Sequence, residues 1–170
     1  MSKKKNEPIL PQNVILIQVG LLCASILAIL TLTINYFGDR IAGDSSFVAK
    51  IQVGLMLFAA WLVISSGMRA AFKMNRQIPS VWLFVLGLGI GILAHMMQSL
   101  GYSYLMKRTV DEAVPFFASF FRGFLPALSV SAFIAIMSVI ALKVANPNHR
   151  IALQVLLVVV LILLILYGIK

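Results

Sequence analysis

Residues 81–105 read VWLFVLGLGIGILAHMMQSLGYSYL and contain no Lys, Arg, Asp or Glu. A helix needs about 20 such residues to cross the ~30 Å hydrocarbon layer of a membrane. Because that layer offers no water to backbone amide groups, a helix that bonds its own backbone is the default structure there. The segment therefore predicts a transmembrane helix.

Four more apolar runs lie at residues 14–36, 51–72, 125–144 and 151–169. Of the 170 residues, 61% are hydrophobic and 11% are charged, whereas a soluble domain has roughly 45–50% and about 25%. We predict an all-α integral membrane protein, with residues 14–170 forming one transmembrane domain. Its architecture is a bundle of about five transmembrane helices.

Basic residues between the runs predict the orientation of this bundle. Lys3, Lys4 and Lys5 lie in residues 1–13, and we expect this basic tail to stay in the cytoplasm. The inner segments then hold a small excess of Lys and Arg, and an odd number of spans places the C-terminus outside. Short loops favour a multi-pass protein of a bacterial inner (cytoplasmic) membrane. The formal charge of +9 then meets lipid head groups, so we expect no nucleic-acid partner.

The segment before the fourth run predicts a separate short helix. Thr109 and Glu112 have the spacing of a capping box, and phenylalanines recur through the residues that follow. We expect residues 111–124 to form an interfacial helix on the outer side, with a turn near Pro126. The alternative is one long helix through Pro126, which would bury Arg122 at a cost of ~2.5–3.5 kcal/mol if it were central.

Small residues at helical spacing predict which helices pack together, because they let backbones approach closely in lipid. Such helix-packing residues occur in the first, third and fourth runs: Gly20, Ala24 and Ala28; Gly87 and Gly91; and Ala127, Ser131 and Ala135. The fifth run has no such series. We therefore expect a bundle of four helices, with the fifth at the periphery or against another protein.

His95 is the one ionisable side chain plainly inside a run, and Gln98, Ser99 and Tyr102 follow it at helical spacing. These four residues form the candidate polar intramembrane face. An ionisable group in a membrane marks a functional site by default. The structural alternative is a neutral histidine that bonds to a neighbouring helix. A haem held by two histidines is disfavoured, because His149 lies in a loop.

Catalytic and cofactor motifs are absent from this sequence, so we expect no enzyme, no cofactor and no metal site. The sequence favours a non-catalytic accessory or structural subunit of a membrane assembly. Its expected partners are the lipid bilayer and other membrane subunits or further copies of the chain. The alternative is a small transporter or channel with a polar path around His95.

Overall fold

The computed structural model describes residues 11–42, 46–109 and 115–168, with side chains described to residue 41, from 46 to 107 and from 115 to 160. Within these ranges the chain forms five helices, and the all-helical prediction is confirmed. They are α1 (Gln12–Ala42), α2 (Ser46–Met74), α3 (Ser80–Thr109), α4 (Phe116–Lys143) and α5 (Pro147–Gly168).

Four of these helices, α1 to α4, are long and apolar enough to cross a membrane, judged by length and composition. The described side chains of α5 end at Val160 and form a shorter apolar stretch. A membrane-spanning bundle is thus supported for four helices. The fifth crossing, like the cytoplasmic position of residues 1–13, stays a prediction.

The helix contacts define a bundle of four with one peripheral helix. α3 packs against α1 and α4, α1 also packs against α2, and α2 contacts α3 and α4. Among the described residues, α5 contacts α4 alone. This position agrees with the lack of a small-residue series in the fifth run, since leucine, valine and isoleucine keep helix backbones apart.

The tightest packing lies towards the inner end of the bundle, which we define as the end that carries the α2–α3 connection and Lys143. Its largest fully buried side chains include Ile64, Met68, Ile78 and Leu83. The Lys143 ammonium donates a hydrogen bond of 2.7 Å to the Ile78 carbonyl and lies 4.8 Å from the centre of the Phe72 ring. These contacts link α4 to α2 and to the α2–α3 connection at the inner end.

The predicted separate interfacial helix over residues 111–124 is wrong. Residues 116–124 are the first turns of α4, which continues through Pro126 to Lys143. Thr109 ends α3, and residues 111–114 lie outside the described part of the chain. Pro126 removes one backbone hydrogen bond, at a cost of about 3 kcal/mol in a helix interior.

Aromatic packing gives a physical reason for the continuous α4. The rings of Phe116, Phe120 and Phe124 follow one another along the helix, with centroids 5.7 Å and 5.4 Å apart. The Phe120 ring also stacks on His95 of α3, at 5.4 Å. The first turns of α4 are therefore held against α3. Arg122 is exposed rather than buried in the protein core, and it lies in the first two turns of the helix.

Candidate functional site

His95 lies where α3 meets the first turns of α4. Its Nε2 atom is 2.9 Å from the carbonyl oxygen of Phe120. Because a carbonyl only accepts, Nε2 donates, and a neutral ring then keeps Nδ1 as its acceptor. No described residue forms a hydrogen bond with Nδ1. The interaction predicted for a structural histidine is thus present, and it leaves the second ring nitrogen available.

Gly123 allows this close approach of His95 to α4. A Cβ atom at position 123 would lie 2.5 Å from Cε1 of His95 and 3.0 Å from its Nε2. Any larger residue at this position must therefore displace the imidazole. The sequence pattern indicates a turn at Gly123, whereas the structure places this glycine in α4. Its lack of a side chain leaves room for the His95 ring.

The four predicted polar-face residues line one cavity, which we call the outer cavity. It has a volume of about 740 Å³ and lies between α1, α2, α3 and α4 near their outer ends. Small-molecule sites in proteins commonly occupy ~300–1,000 Å³. The residues that line it are His95, Gln98, Ser99 and Tyr102, together with Asn35, Asp39, Met56, Ala118, Ser119, Arg122 and Gly123.

Asp39 and Asn35 were not predicted as site residues, and they are held in place by Gln52 of α2. The Gln52 amide donates hydrogen bonds to Asn35 Oδ1 at 2.9 Å and Asp39 Oδ1 at 3.2 Å. Tyr102 donates to Asp39 Oδ2 at 3.0 Å. These bonds join α1, α2 and α3 at the outer end. The signal that could have found them is the polar series Thr31, Asn35 and Asp39, spaced by four along α1.

Arg122 supplies a positive charge on the opposite wall of the outer cavity. It comes from α4 and is exposed. Among the described residues, no carboxylate lies within salt-bridge distance of its guanidinium. Within the described part of the chain, the cavity therefore has a carboxylate that already accepts hydrogen bonds on one wall and a cation without an ion pair on another.

A second, smaller cavity adjoins the outer cavity on the side nearer the inner end, and we call it the deep pocket. Its volume is about 200 Å³, and it shares Met56, His95 and Gln98 with the outer cavity. Most of its remaining lining is aliphatic: Leu27, Val53, Leu57, Ala60, Gly91, Ala94, Pro126, Ala127, Val130, Thr31 and Ser131. The Thr31 hydroxyl bonds to the Leu27 carbonyl of its own helix at 2.8 Å. The deep pocket is thus an apolar extension of a polar cavity.

Close contact between α3 and α4 begins beside the deep pocket and continues towards the inner end. A Cβ atom at Gly87 would lie 2.7 Å from Cβ of Ala135, and one at Gly91 would overlap the Ser131 side chain. Both partners are buried. The predicted small residues of α3 and α4 are therefore placed opposite one another.

The small residues of α1 lie on its buried face. Ala24 and Ala28 are buried, and a Cβ atom at Gly20 would meet Leu86 of α3 at 3.4 Å. Ala127, on α4, is half-buried and lines the deep pocket. The buried faces of three helices thus carry the predicted packing residues.

The side chains of this site can form hydrogen bonds with a polar molecule, attract an anion at Arg122 and accept a hydrogen bond at His95 Nδ1. Comparison with protein-family models, curated proteins and solved structures found no match for this chain.

Proposed function

We propose that this chain is a small membrane transporter that takes a solute into the outer cavity. The observation that carries the proposal is that polar side chains from three helices converge on one cavity of about 740 Å³. Polar groups are costly within a membrane and mark substrate or ion pathways. The position of His95 at the junction of both cavities makes it the central residue of this proposed path.

A carrier is favoured over an open channel, because buried apolar side chains fill the bundle below the deep pocket. Transporters of this kind bind a solute near the middle of the membrane and then rearrange to open the other side. Ile64, Met68 and Leu83 fill the inner half, and Lys143 binds the α2–α3 connection. With the N-terminus in the cytoplasm and the C-terminus outside, the outer cavity would face the exterior of the cytoplasmic membrane.

Uptake into proteoliposomes tests this proposal for a solute of any identity. Vesicles are exposed to a cell metabolite extract, and mass spectrometry identifies what accumulates inside. We expect at least one solute to accumulate with the unaltered chain and to be lost with His95→Ala. The matched control is Ser25→Ala, because Ser25 lies outside both cavities and bonds to Leu21 of its own helix. Folded, reconstituted protein that accumulates no more than empty vesicles would contradict the proposal.

A second proposal is a non-catalytic accessory or structural subunit, and the exposure of α5 favours it. This helix contacts α4 alone among the described elements, and it leaves Ile151, Val155 and Leu156 more than half exposed. Such a face suits lipid, another subunit or a second copy of the chain. Native mass spectrometry after gentle extraction tests it: stoichiometric partners would support this function, and a lone chain would contradict it.

A further inference from the structure

We infer that the ligand of the outer cavity is an amphipathic organic anion, with a carboxylate head at Arg122 and an alkyl tail in the deep pocket. This inference rests on the proposed transporter function, and it names the class of solute. It draws on two independent features: the contrast between the two adjoining cavities, and the distribution of charge on their walls.

The two cavities differ in chemistry although they share part of their lining. The outer cavity is lined by amide, hydroxyl, imidazole and charged groups, and the deep pocket is mainly aliphatic. Met56, His95 and Gln98 line both. A wholly polar solute would leave the deep pocket unused, and a wholly apolar one would desolvate Gln98 and Arg122 without compensation. A molecule with one polar and one apolar end satisfies both regions.

The charges of the outer cavity favour an anionic head. Asp39 already accepts hydrogen bonds from Gln52 and Tyr102. Arg122 has no described acidic partner, and a guanidinium binds a carboxylate through two parallel hydrogen bonds. The amide of Gln98, which lines the same cavity, offers a further donor.

The dimensions of the deep pocket favour a tail of medium length. On α2 its lining extends from Val53 to Ala60, which corresponds to about 10 Å along a helix axis. Val53 and Leu57, which line the pocket, are also about half exposed, so on the α2 side the pocket borders the outer surface of the bundle. An alkyl chain can therefore enter from the lipid side while its head stays in the polar cavity.

Photo-crosslinking in nanodiscs tests the inference with octanoate that carries a diazirine at the end of its tail. We expect crosslinks at residues 53–60 of α2 and 126–131 of α4, identified by peptide mass spectrometry. Unlabelled octanoate should compete, whereas octylammonium and octanol should compete at least about tenfold less well, because a hydrogen bond to a charged group is lost. Equal competition by octylammonium, or crosslinks spread over the exposed surface of the helices, would overturn the inference.

Two variants test the binding of the carboxylate head and of the alkyl tail separately. Arg122→Gln should weaken octanoate binding at least about tenfold, with the remaining crosslinks still at the deep pocket. Ala60→Phe should fill the pocket and abolish the crosslinks, and Ala49→Phe is its control, because Ala49 lies on the exposed surface of α2 outside both cavities. Unchanged binding in Arg122→Gln would overturn the assignment of the head.

A phospholipid retained in the deep pocket and released only by delipidation would assign the site to a lipid head group and overturn the free-anion assignment.

The transport assay distinguishes failure of this inference from failure of the proposed function. Uptake of another solute that depends on His95, without binding of octanoate, would overturn the ligand class and leave the transporter proposal standing. Specific crosslinking by octanoate without uptake of any solute would support the ligand class and overturn transport.

Discussion

At the scale of single residues, the contact between His95 and α4 depends on the absence of a Cβ atom at Gly123. The imidazole packs where a Cβ of Gly123 would lie, and its Nε2 bonds to the carbonyl of Phe120. A histidine in an apolar helix needs such a partner, since an unpaired polar group in this environment is costly. The contacts of His95 with Gly123 and Phe120 thus set the orientation of the imidazole and of its Nδ1 atom.

Gly123→Ala tests this contact. We expect the variant to be less stable by roughly 1–3 kcal/mol, the usual cost of overpacking, because the new methyl group overlaps the imidazole. The measurement is unfolding of the purified protein in mixed detergent micelles. Gly89→Ala is the matched control, because a Cβ there meets nothing within 4 Å. It should be neutral or more stable by up to about 1 kcal/mol. Equal effects of the two substitutions would contradict the close packing of His95 against Gly123.

At the scale of elements, α4 differs most from the sequence interpretation. Gly123 and Pro126 predict a boundary between an interfacial helix and a span, and the structure has one helix across both. Tertiary contacts can outweigh the helix-breaking tendency of a glycine or a proline. Here the phenylalanines before Pro126 stack on one another, and Phe120 stacks on His95. Pro126 itself lines the deep pocket, where its ring contributes apolar surface.

Pro126→Ala tests the cost of the proline. The substitution restores an N–H group that can bond to the Arg122 carbonyl, so α4 should be stabilised by up to about 3 kcal/mol. Thermal unfolding in detergent measures this effect. Pro115→Ala serves as the comparison, because Pro115 is the N-cap of α4 and needs no N–H there. We expect little change from it. A destabilised Pro126→Ala would show that the helix needs the proline for its packing.

At the scale of the whole molecule, the bundle is asymmetric from end to end. The outer end holds a polar cavity, and the inner half holds a packed apolar core. This difference predicts water access from one side only. It also gives the proposed orientation a measurable consequence, because the outer cavity and the inner core lie at opposite ends of the same helices.

Cysteine labelling in intact cells tests this asymmetry. Cys23 is buried and is replaced by serine to give a background without thiols. A membrane-impermeant maleimide added outside should label Ser119→Cys, which lies in the outer cavity. It should not label Ser138→Cys, which is buried in α4 towards the inner end. The reverse pattern would contradict the predicted orientation, with the N-terminus in the cytoplasm.

Lys143→Met tests how the inner end is closed. The Lys143 ammonium is bound to the Ile78 carbonyl and lies over Phe72, and a hydrogen bond from a charged donor contributes about 1.5–3 kcal/mol. We expect the variant to make Ser138→Cys accessible to a maleimide added to inside-out vesicles. Unchanged labelling would mean that apolar packing alone closes this end.

Much of this architecture follows from sequence alone, because hydrophobic length and helical spacing are local properties. The runs around residues 14–36, 51–72, 81–105 and 125–144 each predict a helix, and the face of His95, Gln98, Ser99 and Tyr102 follows from spacing within one helix. Asn35, Asp39 and Arg122 belong to other helices, and only the packing of the bundle brings them to that face. The continuity of α4 was likewise decided by tertiary structure, because the stacking of His95 on Phe120 joins residues 25 positions apart. The sequence determined which segments are helices and which of their faces are polar; the tertiary structure decided where those faces meet, because that depends on contacts between distant residues.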